Sequence, residues 1–461
     1  SDGDGSEGNP YQINSESDWN TLATNVNAGT NYYKGTYFKL TENITVTTMV
    51  GQGTNRFQGR FDGNGKTITF NVTATEDYCA PFCRISGATI KNLHTEGTIT
   101  TSYRYAGGIV AYTRYTSKIQ NCSSSVTILS SHAGFSGHGG IVALKANVSY
   151  STPTIEGCVF DGKIVSTGTE ASSWCGGIVG YTNGQTLTIK NCLVKLAALG
   201  DGETYADGST FYNNSTSSQP TTTVTLKNCY YFSTLGTAQG KEVRSISAGE
   251  YVTVALAGTP TEYDLSGITA YNVGLEYNNT LYAGYEEEVS LTLGSTMTGF
   301  TFDSYTATAG TLTGSGNSYT LTMPNADVTI NGKEMLTVNN GTTTNRYVPI
   351  DLEYIDDNVA SQFIIPSSAL TSIRFDTIHA MIFYHAHRNE SADLTGAEFE
   401  VYVEEITSTS SFSSNTFEDW GNMTKVKNSG SLSLSEDKMV VTLDTPFQYI
   451  GANLLIGFKQ T

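Results

Sequence analysis

Four cysteines, Cys122, Cys158, Cys192 and Cys229, each stand three residues after the apolar centre of a short run, Ile119, Ile155, Ile189 and Leu226. A shared offset in a repeating chain means a shared orientation, so these residues predict a ladder of buried thiols acting as small apolar groups, reduced and unmetallated. A column of thiols could also hold a soft metal, but zinc sites gather Cys and His from tight local spacings, which are absent here. Cys79 and Cys83 flank Ala80-Pro81-Phe82 rather than forming a Cys-x-x-Cys redox pair, which leaves a local disulfide or two free thiols. His385 and His387 sit at i, i+2 with His379 further along the same face; two ligands without a carboxylate partner predict a polar strand end. The acidic groups Asp2, Asp4, Glu7 and Glu286-Glu287-Glu288 lack the twelve-residue loop and bidentate Glu of a calcium site, and solvated segments are expected. No metal and no cofactor is assigned.

Polysaccharide cleavage would require two carboxylates across a groove, or carboxylates holding Ca²⁺ beside a basic residue. The acids within the repeats, Asp62, Glu96, Glu156 and Asp161, do not recur in one slot, so no catalytic residue is assigned. The candidate ligand-binding residues are instead Tyr103, Arg104 and Tyr105, then Tyr112, Arg114 and Tyr115, and finally Trp174. They bracket Gly-Gly-Ile-Val motifs, and aromatics with cations near strand corners suit stacking on sugar rings or anchoring a protein partner.

The elements that position these residues follow from a repeat. Ile44, Ile68, Ile90, Ile119, Ile155, Ile189 and Leu226 centre short β-branched runs separated by 24, 22, 29, 36, 34 and 37 residues. Gly-Gly-Ile-Val recurs at 107–110, 139–142 and 176–179, between successive members of that series. Intervals of this size are solenoid repeats, and the absence of Leu-x-x-Leu-x-Leu favours a parallel β-helix over a leucine-rich repeat. Right-handed winding over about 36–233 is expected from the preference of parallel crossovers, with the seven apolar centres in one inward column. The longer intervals place polar loops at Ser130 to His138, Ser166 to Ser173 and Gly200 to Pro220. Ser15 and Asp18 resemble a capping box ahead of Trp19, Leu22, Ala23 and Val26, which predicts a helix covering the N-terminal end of the stack.

From about Gly240 the repeat stops. Alternation at Val289, Leu291 and Leu293, at Tyr319, Leu321 and Met323, and at Val328 and Ile330 predicts a small antiparallel β-domain over 240–333. Runs at Phe363–Ile365, Met381–Tyr384, Phe399–Val403, Met439–Val441 and Leu454–Ile456 predict a β-sandwich over 334–461, with a terminal strand that continues or pairs elsewhere. The first domain then spans 1–239, and the fold class is all-β.

The chain has 461 residues, 15% charged and 38% hydrophobic, with 47 Gly and 28 Tyr, a balance that excludes an all-helical protein. Forty-three acidic against 25 basic residues give a net charge of −18, which disfavours a nucleic-acid partner. No apolar run is long enough to span a membrane. The opening Ser1-Asp2-Gly3-Asp4-Gly5 has no signal-peptide character, so export through a segment absent from this sequence is expected.

FDGNGKTITF at 61–70 resembles the opening turn of right-handed β-helices, and GGIV followed by an Asn-Cys strand resembles the GLUG motif of bacterial surface proteins, found in adhesin-like and IgA-peptidase-associated chains. Gly180-Tyr181 matches the Gly-Tyr that follows this motif, Ala111-Tyr112 matches half of it, and Ala143-Leu144 departs from it. SYTLTMPNADVTI at 318–330 resembles small Ig-like modules of Bacteroidetes surface proteins, and LTVNNGTTTNRYVPI at 336–350 resembles a β-sandwich that accompanies them. The resemblance implies a non-catalytic, monomeric adhesin at the cell surface, extracellular or on the outer membrane, binding a glycan or a host or microbial surface protein. A polysaccharide lyase or hydrolase on the β-helix, or a stalk presenting another domain, are the alternatives.

Overall fold

Three-residue strands with one apolar centre bury that centre and leave both flanks at least partly exposed, as Thr89–Lys91, Lys118–Gln120 and Thr154–Glu156 do. Such a strand is stable only when its own copies lie on both sides. In the computed structural model they do: Phe61, Ile90, Ile119, Ile155, Ile189 and Leu226 pair in register through successive parallel strands. The structure describes residues 2–214, 221–259, 264–265, 267–295, 300–338, 345, 348–350, 359–384, 397–407, 409, 411–414, 416–434 and 438–461. It is all-β apart from one α-helix and two 3-10 turns among those residues, and none of its helices is long and apolar enough to cross a membrane.

The chain winds through four sheets in rotation. Sheet I has eight strands, from Tyr11–Ile13 to Thr223–Lys227, and sheet II eight, from Ile44–Val46 to Lys241–Glu242. Sheets III and IV have five each, beginning at Val72–Thr73 and Phe82–Ser86. The pairing is parallel throughout except for Thr204–Tyr205, which closes sheet III antiparallel. One turn therefore carries four short strands around a continuous apolar interior.

Two of the expected column members belong elsewhere. Ile44 and Ile68 pair with each other in sheet II, continuing into Thr95, Ser124 and Phe160, while Phe38 and Phe61 occupy their places in sheet I. The two sheets look alike in sequence because every inward position favours a bulky side chain, so spacing alone does not distinguish them. The stretches expected as loops also carry strands: Gly134–Phe135 pairs with Ser172–Ser173, and Cys175–Gly176 with Gly208–Ser209.

The Gly-Gly-Ile-Val copies stack in register, Val110 on Val142 on Val179 and Gly107 on Gly139 on Gly176. The first Gly of each copy has no room for a Cβ because the carbonyl of the Val three residues on lies 1.9–2.1 Å from where it would sit. The second is blocked by a backbone carbonyl of the next turn: Gly140 for Gly108, Gly177 for Gly140, Thr210 for Gly177. Both glycines are therefore requirements of close turn-on-turn packing.

The helix Glu16–Asn27 follows Ser15, whose hydroxyl accepts from the Asp18 amide, and it buries Trp19, Leu22, Ala23 and Val26. Trp19 meets Phe61 and Phe82 edge-on at 5.9 and 5.2 Å and donates its indole N–H to Thr48 O at 2.8 Å. The preceding acidic segment is not a free tail, since Tyr37 N donates to Gly5 O and Gln12 N to Asp2 O. At the other end, the Gln239 carboxamide accepts from Phe211 N and Tyr212 N, both at 2.9 Å, and donates to Tyr212 O. One side chain thus satisfies backbone groups of the last sheet IV strand, a device against edge pairing.

By contacts the chain divides into two units, Ser1–Thr296 with Ser304–Lys333, and Met297–Asp303 with Glu334–Thr461. In the first, the segment after Gly240 contributes an antiparallel sheet of Val252–Leu256, Glu288–Ser295, Ser318–Thr322 and Thr311–Ser315. Its Leu275, with Ile268, Tyr277 and Tyr282, covers Val159, Leu193 and Tyr230 on the outside of sheet II. Glu287, expected to be solvated, accepts from Tyr230 Oη at 3.0 and 2.9 Å and from Gly284 N at 2.8 Å. The second unit has two antiparallel sheets over one core that includes Phe399, Val401, Val441, Ile456 and Phe458. Its last strand, Asn453–Gln460, is internal, paired with Ala360–Ile365 on one side and Phe399–Ile406 on the other.

A second ladder marks the corner after sheet I, where Asn64, Asn92, Asn121, Asn191 and Asn228 all adopt φ between 49° and 53°. Asn121 Nδ2 donates to Asn92 Oδ1 at 2.8 Å, and Asn228 Nδ2 to Asn191 Oδ1 at 3.2 Å. Gly157 (φ +61°) interrupts the series, and the buried Asn121 Oδ1 beside it has no hydrogen-bond partner. Gly157→Asn is expected to restore the ladder and raise the melting temperature. About 1 kcal/mol would come from hydrogen bonding and about 0.4–1 kcal/mol from reduced unfolded-state entropy. Thermal unfolding of the variant checks this; no rise would mean that the amide ladder does not stabilise the column.

Candidate functional site

Side chains on the outer face of sheet IV form a column because parallel register repeats their orientation. Arg84 pairs with Tyr112, Tyr112 with Leu144, and Leu144 with Tyr181, while the Phe57–Ile85 bridge sets Arg56 beside Arg84. At the corner that precedes sheet IV, Tyr78, Tyr105, Gly137 and Trp174 all have positive φ, 76°, 63°, 62° and 62°. Three aromatic residues in that conformation are unusual, and their rings are held by one another.

The two columns merge into an aromatic strip. Tyr78 stacks on Tyr105 at 5.0 Å with rings 20° apart and meets Tyr112 edge-on at 5.8 Å. Tyr105 meets Phe135 at 5.9 Å, and Phe135 meets Tyr181 at 4.8 Å and Trp174 at 6.1 Å. Gly137 makes this possible: a Cβ there would lie 2.9 Å from the Tyr105 ring. Tyr105 is buried, and burial pushes its hydroxyl up to about 12. Tyr78, Tyr112, Phe135, Trp174 and Tyr181 are half-buried and present part of each ring.

Three guanidinium groups lie on the strip. Arg84 Cζ is 3.9 Å from the Tyr78 ring centroid and 5.3 Å from that of Tyr112; Arg56 Cζ is 5.6 Å from Tyr112, and Arg104 Cζ 5.4 Å from Tyr105. Arg104 is already engaged, with Nη2 at 2.9 Å from Asp77 Oδ2. Of the sequence candidates, Arg104, Tyr105, Tyr112 and Trp174 are thus brought together. Arg114 and Tyr115 form a separate pair at the far end of the strand, Cζ to ring 4.8 Å, with Arg114 Nε donating to Ser86 Oγ. Tyr103 is exposed in the turn that leads to Arg104. Sequence reading missed Arg56, Tyr78, Arg84, Phe135 and Tyr181. Tyr78 and Arg84 flank Cys79-Ala80-Pro81-Phe82, a segment aligned with Gly-Gly-Ile-Val through the Phe82–Val110 pair but lacking its glycines.

Three of the four repeat acids are bound up in cross-turn contacts, and the fourth, Asp161, is exposed. Asp62 pairs with Lys91 at 3.5 Å, Glu156 with Lys190 at 2.7 Å, and Glu96 accepts from Thr69 Oγ1 at 2.8 Å. Among the described residues no group of three or more His, Cys, Asp or Glu could hold a metal. His379 is exposed on its strand, and His385 and His387 lie outside the described residues.

All seven cysteines are buried free thiols. Cys122, Cys158, Cys192 and Cys229 point the same way, each Sγ lying 3.2–3.4 Å from the carbonyl two residues upstream, of Gln120, Glu156, Lys190 and Lys227, and 3.6–3.8 Å from the Ile carbonyl of the preceding turn, of Ile90, Ile119, Ile155 and Ile189. Desolvation pushes the Cys122 and Cys192 thiols up, and those of Cys79 and Cys83 up to about 12. Beside Gly137, His138 is also fully buried; its Nδ1 accepts from Ala106 N at 3.0 Å and its Nε2 lies 2.8 Å from Ser130 Oγ. Burial lowers its pKa to about 3, so the folded corner keeps it neutral.

No protein-family model matches this chain, and none of the curated proteins matches it. Among solved structures, the crystal structure of a putative immunoglobulin A1 protease from Bacteroides ovatus is similar at 22% identity and a TM-score of 0.34, over 50% of this chain and 77% of that one.

Two outcomes follow. Native protein should react slowly with a thiol reagent, and protein denatured without reductant should release all seven thiols; a lower count would mean a crosslink in the column. For His138 the unfolded chain binds the proton more readily than the folded one, so the neutral ring supports stability above the ordinary value of 6.5 and that support is lost as pH falls toward about 3. The slope is about 1.4 kcal/mol per pH unit. Urea unfolding between pH 7 and 4 should show a shallower loss for His138→Asn than for wild type, and parallel curves would refute the assignment.

Proposed function

We propose that this chain is a non-catalytic, adhesin-like protein of the bacterial cell surface that binds a glycan on the corner ahead of sheet IV. In this reading the four-sheet column is a right-handed parallel β-helix of GLUG type, and 240–333 is an Ig-like module. Handedness follows the strong preference of parallel crossovers, and the glycine pairs at 107–108, 139–140 and 176–177 support the motif assignment. The observation that carries the functional reading is the strip in which the part-exposed rings of Tyr112, Tyr78, Phe135 and Trp174 are joined through the buried Tyr105 and bordered by guanidinium groups. Sugar rings stack on such faces through their C–H edges while cations and hydroxyls take the polar rim. A glycan partner is preferred to a protein because the rings are spread along successive turns as a strip rather than gathered in one deep pocket.

Of the four repeat acids, Asp62, Glu96 and Glu156 are occupied by cross-turn partners, which leaves Asp161 alone where cleavage calls for two carboxylates. The non-catalytic reading rests on that. A glycan array with wild type, Trp174→Ala and Tyr112→Ala is the test: binding to at least one glycan class is expected, weakened about tenfold in either variant. Absence of binding across microbial and host glycans would overturn the reading. Release of reducing sugar from a bound polysaccharide would replace it with the lyase or hydrolase alternative.

A further inference from the structure

We infer that the ligand of this corner is an anionic glycan, its carboxylate or sulfate group held between Arg56 and Arg84. The inference rests on the glycan-binding reading and adds the chemical class.

Parallel register sets these two arginines on adjacent turns of one face. Equivalent positions are about 4.8 Å apart, a spacing at which like charges repel unless something lies between them. Both side chains converge, since both guanidinium carbons lie within 6 Å of the Tyr112 ring, at 5.6 and 5.3 Å. Each Nε is buried and without a hydrogen-bond partner. Among the described residues neither arginine has an ion pair, although the chain carries 43 acidic residues and neighbouring Arg104 has taken Asp77. Arg56 spends one Nη1 hydrogen on Thr54 O, and Arg84 rests on the Tyr78 face, so the planar forks are oriented but not neutralised.

A carboxylate or sulfate at the Nη ends of these two half-buried side chains relieves the repulsion and accepts from their remaining N–H groups. The fork geometry of guanidinium matches either anion in a bidentate manner. Tyr78 and Tyr112 adjoin the pair, and the strip continues over Tyr105 toward Phe135 and Trp174, so a sugar bearing the anion would sit over the first rings and its neighbours over the later ones. In an acidic protein, this local cation pair also confers selectivity, because other faces repel the same polymer.

The experiment compares binding of dextran, dextran sulfate and polygalacturonate at fixed ionic strength by biolayer interferometry, with the whole chain immobilised. Wild type should bind at least one charged polymer over neutral dextran, and whichever it prefers tells sulfate from carboxylate. Arg56→Gln/Arg84→Gln should weaken that binding tenfold or more, whereas the control Lys34→Gln/Lys118→Gln, which removes two exposed charges elsewhere, should leave it within about twofold. Arg84→Lys keeps the charge, spares the fold and loses the fork, and should fall between them. Equal losses in the two double variants would reduce the effect to bulk charge and overturn the inference. Preference for dextran, with loss only in Trp174→Ala, would overturn it too while leaving the glycan reading intact; failure to bind any saccharide would remove both.

Discussion

In-register parallel stacking places each residue one strand spacing from its counterparts in the turns before and after, so every position must tolerate its own copy. Apolar centres satisfy this by packing face to face, as Ile90, Ile119, Ile155 and Ile189 do. Asparagines satisfy it by hydrogen bonding amide to amide, and thiols by being small and turning S–H toward nearby main-chain carbonyls. Charged residues satisfy it where opposite signs meet, which is how Asp62 meets Lys91 and Glu156 meets Lys190. Lys190 faces Lys227 as well but has Glu156 on its other side, whereas Arg56 beside Arg84 has no ion pair among the described residues and falls on the face where aromatic rings accumulate.

Close approach of one turn to the next sets the other requirement. The glycine pairs of Gly-Gly-Ile-Val exist because carbonyls of the same and the following turn occupy the places where side chains would begin. Thin backbone there brings the corner residues just upstream, Tyr105 and Trp174, onto a shared surface. Gly137 extends the same economy to a single position, where omission of a side chain admits the Tyr105 ring and lets Phe135 bridge to Tyr181. The site is therefore a by-product of how the turns pack, with the neutral His138 fixing the corner from inside.

Some of the site was legible in the chain. Arg104, Tyr105, Tyr112 and Trp174 flank visible repeat motifs, and their clustering follows from the repeat. Arg56, Tyr78 and Arg84 belong to earlier turns whose equivalent segment reads Cys79-Ala80-Pro81-Phe82, so motif matching passed over them. Phe135 lies in a stretch that reads as a polar loop, and becomes part of the strip only because Gly134–Phe135 pairs with Ser172–Ser173 across 38 residues of sequence. Conversely Arg114 and Tyr115, two and three positions beyond Tyr112, were carried to another corner by the direction of the chain.

By itself the amino-acid sequence determined the period, the all-β character, the buried thiol slot and the N-terminal helix with its four buried residues, because each depends on local spacing and side-chain type. Tertiary structure decided which sheet each run joins. Ile44 and Ile68 carry the same pattern as Ile90, yet face a different column, since inward positions in all four sheets ask for the same kind of residue. It also decided that Glu287 is a half-buried partner of Tyr230 rather than a solvated acid, and that two arginines 28 residues apart share one tyrosine ring. Such relations depend on how many residues each turn spends in its corners, a quantity fixed by packing against the neighbouring turns and not by any single stretch of chain.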